Sequence, residues 1–206
     1  MPTKRDFEFE RSKTVERGHT LSRQLASLFV EKRFPFEFLQ KYGALAVDVE
    51  YGQELVALHS LAAAPLIISE PISEVEDEVD TSALKRAVLE RLLLLYSGAT
   101  LIDGTFSQVV TYLEEHFTDH QFALVTRLNA FPTFLSREEI RSFIEITLPH
   151  VIGGGLILIS SLEGDYLKEF EQVIEERIEG VTLFFDKHSD LRSIGTMLLV
   201  AQKNSL

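Results

Sequence analysis

The stretch QFALVTRLNAFPTFLSREEIRSFIEITLPHVIGGGLILISS, residues 121–161, decides the fold. Phe122 to Val125 and Leu156 to Ile159 are short apolar runs of the kind that strands covered on both faces require. Between them Ser136 precedes Glu139 in the spacing of a capping box, and Ile140, Phe143, Ile144 and Leu148 recur at helical intervals. Gly153, Gly154 and Gly155 read as the turn from this helix into the second strand, because glycine reaches positive φ at low cost. Strand, helix and strand in this order make a βαβ unit, whose strands run parallel in one sheet.

Outward from this unit the alternation continues. Toward the N-terminus, Ala44 to Val49, Pro65 to Ser69 and Ala99 to Ile102 are three more strand candidates. Helical patterns separate them: Leu55 to Ala63, then a helix capped by Asp80 or Thr81 with Leu84, Val88, Leu92 and Leu95 inward, then Phe106 to Phe117. Toward the C-terminus, Tyr166 to Ile178 reads as a helix, followed by strands at Val181 to Phe185 and Thr196 to Ala201. The link between those two is too short for a crossover helix, so they are expected to pair antiparallel. The expected fold is therefore α/β: a doubly wound, mostly parallel, seven-stranded sheet closed by a C-terminal antiparallel hairpin. Residues 1–18 are dominated by charge and read as a frayed arm. A helix is expected from Thr20, with Leu21, Leu25, Leu28 and Phe29 on one face and an apolar corner around Pro35. Residues 1–42 are thus an N-terminal arm with helices, and 43–206 the α/β domain.

Composition narrows the function. A chain of 206 residues that is 45% hydrophobic can bury one sizeable core. No apolar run is long enough to cross a bilayer, and the N-terminus is not a secretory signal, so a cytoplasmic location is expected. With no cysteine, disulfides, thiolate metal sites and cysteine nucleophiles are excluded. The net charge of −12 argues against binding along a nucleic-acid backbone, although residues 1–40 carry eight Lys/Arg against six Asp/Glu. A small-molecule ligand or a protein partner is the expectation, and a homo-oligomer stays open. The acidic segment at residues 73–80 lacks the ligand spacing and central glycine of a calcium loop and reads as a solvated linker; no metal is expected.

The order of elements, with FALVTRLNAF entering a loop and LPHVIGGGLILIS entering the next strand, resembles the class I S-adenosylmethionine-dependent methyltransferases over about residues 43–203. The resemblance implies a Rossmann-like sheet and S-adenosylmethionine as cofactor. It places Asp48 and Gly52 in the acidic, glycine-rich loop after the first strand, and Glu70 where an acid accepts from ribose hydroxyls. Asp103 falls where an acid meets the adenine amino group, and Arg127 and Asn129 where substrate or cofactor contacts arise. Glu50 and Glu54 stand where that loop has glycines, a departure that adds bulk and negative charge.

Other candidate groups are few. His116 and His120 stand four apart near a helix end, and His150 precedes the glycine run, where a helix dipole would favour its cation. His188, between Asp186 and Asp190, is the weak candidate for a catalytic role. No nucleophile elbow or Walker loop is present. Two readings stay open: a methyltransferase acting on a small molecule, and a catalytically inactive protein of the same fold that binds a partner or small ligand.

Overall fold

A computed structural model describes residues 3–49, 52–70, 79–104, 106–117, 120–128, 136–161, 167–186 and 197–205. The opening helix, α1 (Lys4–Glu31), runs 28 residues without a break. Its N-terminus is closed by a capping box, in which the Asp6 backbone N–H donates to Thr3 Oγ1 and the Thr3 N–H donates to the Asp6 carboxylate. The expected frayed arm over residues 1–18 is therefore corrected. The same charges that hide a hydrophobic period pair along the helix, Arg11 with Glu8 and Lys13 with Glu10. A narrow stripe of Thr14, Gly18, Leu21, Leu25, Leu28 and Phe29 is buried.

The chain continues through α2 (Glu37–Tyr42), β1 (Ala44–Ala46), α3 (Gln53–Ser60), β2 (Leu66–Glu70) and α4 (Val79–Leu95). It then forms β3 (Ala99–Asp103), α5 (Phe106–His116), β4 (Phe122–Arg127), α6 (Arg137–Thr147), β5 (Val151–Ser161), α7 (Leu167–Glu176), β6 (Val181–Asp186) and β7 (Met197–Lys203). Because α4 begins at Val79, neither Asp80 nor Thr81 is its cap, and the end of the expected acidic linker is helical. The rest of that linker lies outside the described residues.

All seven strands form one sheet in the order β3-β2-β1-β4-β5-β7-β6. The β1–β2, β1–β4, β2–β3 and β4–β5 pairs are parallel; β7 runs antiparallel to both β5 and β6, as the short final link requires. Successive strand residues face opposite layers. Ala44, Ala46, Leu66, Ile68, Leu156 and Leu158 pack with α1 to α4, while Leu45, Ile67, Ile157 and Ile159 pack with α5 to α7. A sheet buried on both faces explains why its strands read as unbroken apolar runs.

The glycine run does not turn the chain. A short 3-10 turn at Leu148–His150 makes that change of direction, and β5 has already started at Val151. Gly153, Gly154 and Gly155 instead lie in a bulge: Phe122 is level with Val151, but Leu124 is level with Leu156. Gly154 holds φ +81°, and a Cβ on Gly155 would come within 2.9 Å of the Ala123 carbonyl oxygen. Among the described residues no helix is long and apolar enough to cross a membrane.

Candidate ligand site at the carboxyl edge of the sheet

In the strand order, β1 is the place where the winding reverses: β2 and β3 lie to one side, β4 and β5 to the other. The helices that follow β1 and β4, α3 and α6, pack on opposite faces of the sheet, and in open α/β sheets ligands lie at the carboxyl edge beside such a reversal. What lines that edge follows from how β1 ends. Its ladder contacts run past Ala46, with the Val47 N–H donating to the Thr126 carbonyl and the Val49 N–H to the Ser69 carbonyl. Between them Asp48 adopts φ +59°, a region that aspartate tolerates better than most side chains, and the strand is broken there.

The turn brings the Asp48 carboxylate onto Arg127, the last residue of β4. Arg127 Nε donates to Asp48 Oδ2 at 2.6 Å, and the two side chains are only 13% and 14% exposed. The Asp48 N–H donates to the hydroxyl of buried Ser69 on β2, so three adjacent strand ends are stitched together. On the other side, the ring of Phe143 from α6 lies 5.5 Å from the central carbon of the guanidinium. Farther along the edge, Glu70 and Asp103 close β2 and β3 and are register partners.

Gly52 is the N-cap of α3 at φ +86°. An added Cβ there would lie 2.9 Å from Leu89 Cδ1 and 3.1 Å from Leu92 Cδ1, so the space glycine leaves is filled by α4. Glu54, in the first turn of α3, is buried, where the helix N-terminus favours its negative charge. Asp48, Gly52, Glu70, Asp103 and Arg127 thus all fall along one edge, with Asp48 and Arg127 in direct contact. Glu50, Asn129 and His188 lie outside the described residues. Sequence reasoning missed the Asp48–Arg127 pair itself, since partners 79 residues apart leave no local spacing signal.

The histidines belong elsewhere. His116 bonds the Tyr112 carbonyl in its own helix, whereas His120 bonds the Tyr42 carbonyl. His150 is held below its ordinary pKa of 6.5, chiefly by burial and further by Lys203, with Glu114 opposing. Loss of solvation of the cation is the leading cause. Among the described residues, no group of three or more His, Asp or Glu could hold a metal ion.

Neither a family model nor a curated protein matches the sequence. Solved structures do match the fold. A Klebsiella pneumoniae protein assigned as an O-methyltransferase aligns with TM-score 0.62 at 14% identity, over 95% of this chain and 90% of that one. An O-methyltransferase from Bacillus cereus in complex with SAH gives 0.56 at 13% identity over 93% and 91%. An rRNA methylase from Streptococcus thermophilus gives 0.55 at 14% identity over 86% and 96%. The chain has the fold of the class I S-adenosylmethionine-dependent methyltransferases, in agreement with its strand order and closing hairpin.

Proposed function

We propose that the chain binds S-adenosylmethionine at the carboxyl ends of β1, β2 and β3 and transfers its methyl group to a small molecule. The observation that carries the reading is the set of acids Asp48, Glu70 and Asp103 at three neighbouring strand ends, beside the reversal in strand order. Carboxylates there suit a nucleoside: Glu70 accepts from ribose hydroxyls and Asp103 from the adenine amino group. The cofactor, when bound, supplies a methyl group made electrophilic by its sulfonium. The chain's own contribution is alignment and exclusion of water, which together can account for several orders of magnitude in rate without an acid/base dyad. Binding of S-adenosylhomocysteine, followed by thermal unfolding of the intact chain, tests the reading. At ligand about 100 times its dissociation constant the gain is about 2.7 kcal/mol, and Glu70→Ala should reduce it.

The methionine half of the cofactor meets a less suitable surface, and this favours a second reading. Asp48 already accepts from Arg127, Glu54 adds a buried carboxylate at the start of α3, and the space beside Gly52 is taken by Leu89 and Leu92. On that reading the fold is retained without catalysis and the edge holds a different small ligand or a partner. Stability unaffected by millimolar S-adenosylhomocysteine would favour it over the first.

A further inference from the structure

Arg127 is an incompletely used arginine in a mostly buried place. A guanidinium carries five N–H donors, and the terminal amino groups of Arg127 are not among the buried unsatisfied atoms of the described residues, so they reach solvent and are open to a ligand. Here Nε is bonded to Asp48, while among the described residues the terminal amino groups donate to no acceptor. The bond at Nε and the Phe143 ring 5.5 Å from the central carbon together fix the guanidinium and back it with an apolar surface. This leaves the edge formed by the two terminal amino groups as a preorganised fork, whose geometry matches a carboxylate or phosphate. Its place is also informative. Arg127 ends β4, on the α6 side of the reversal in strand order, whereas the acids that suit a nucleoside end β2 and β3 on the other side.

We propose that Arg127 is a specificity residue that receives a carboxylate or phosphate group of the methyl acceptor, and that Asp48 is the positioning residue that holds the fork. The substrate class is then an anionic small molecule. This deepens the methyltransferase reading and rests on it for the word acceptor; the oxyanion site itself does not. Affinity for the anion comes from local geometry, because the overall charge of −12 repels it.

The test uses the full chain with S-adenosylhomocysteine at saturation, and benzoate and inorganic phosphate as probes. Benzamide serves as the neutral counterpart of benzoate, and chloride as an ionic-strength control. Thermal unfolding should show a saturable rise with at least one of the two anions, and none with benzamide or chloride. In Arg127→Gln, checked for folding by circular dichroism, the anion's apparent affinity should fall by about tenfold or more. Arg127→Lys, which keeps the charge opposite Asp48, should also lose affinity because it lacks the fork. S-adenosylhomocysteine affinity without added anion is measured in both variants alongside, and should fall by less than the anion's affinity does. The proposal is overturned if neither anion saturates, if the variants respond like the parent chain, or if the variants lose S-adenosylhomocysteine binding instead. That last result would assign the fork to the cofactor's own carboxylate. If the anions bind through Arg127 while S-adenosylhomocysteine does not bind at all, the oxyanion site stands and the methyltransferase reading fails.

Discussion

Arg127 and Asp48 set the electrostatics of the candidate site through a contact in which neither partner is easily solvated. Asp48→Asn leaves a mostly buried guanidinium without its counter-charge, and we expect a loss of about 2–3 kcal/mol in chemical denaturation, below the figure for fully buried pairs because both side chains touch solvent. Combining it with Arg127→Gln should cost less than the sum of the two, with a coupling of about 1–3 kcal/mol; additive losses would show that the contact contributes nothing. Gly52 is bound to its position by conformation. With φ at +86°, Gly52→Ala should lower stability by about 1–2 kcal/mol even without ligand, the displaced Leu89 and Leu92 adding to the strain. His150 gives a pH signature. Its folded pKa lies below 6.5, so on acidification the unfolded chain takes up the proton first. Its contribution to stability is complete above the ordinary value and is lost as the pH falls from 6.5 through the lower folded pKa. Denaturation measured across that interval should therefore show a flatter pH dependence in His150→Gln.

Among the elements, α1 was the least legible in the sequence. Only one narrow stripe of it is buried, and its charged remainder conceals the helical period that made α6 evident. Its docking on α3 depends on Gly18, where an added Cβ would come 2.5 Å from Val56 Cβ and 2.9 Å from the Gln53 carbonyl oxygen. Alanine is the better helix former by about 1 kcal/mol, yet the clash involves backbone and a branched side chain that cannot move aside. Gly18→Ala should accordingly destabilise the protein in denaturant titration, by about 1–2 kcal/mol net; a stabilised variant would mean that the two helices separate without cost. The glycine run before Leu156 was misread for a related reason. Three consecutive glycines suit a turn and a bulge equally, and only the register between β4 and β5 distinguishes them.

At the scale of the whole molecule, the strand sequence and the closing hairpin were readable because burial on both faces leaves uninterrupted apolar runs, and because the final link is too short to cross over. The carboxyl edge was readable only in part. Acids at the ends of β1, β2 and β3 could be picked out individually, but a contact such as Arg127 with Asp48 is made by the sheet, which places β1 beside β4. On the proposed reading, the nucleoside lies against the ends of β2 and β3 and the oxyanion against Arg127, so that cofactor and acceptor meet at the reversal in strand order. The claim on which this account depends is that the edge binds S-adenosylmethionine, and titration of the intact chain with S-adenosylhomocysteine under thermal unfolding tests it most directly. The account predicts a saturable stabilisation approaching about 2.7 kcal/mol at 100 times the dissociation constant, diminished in Glu70→Ala. An unfolding midpoint that does not move at millimolar ligand would contradict it.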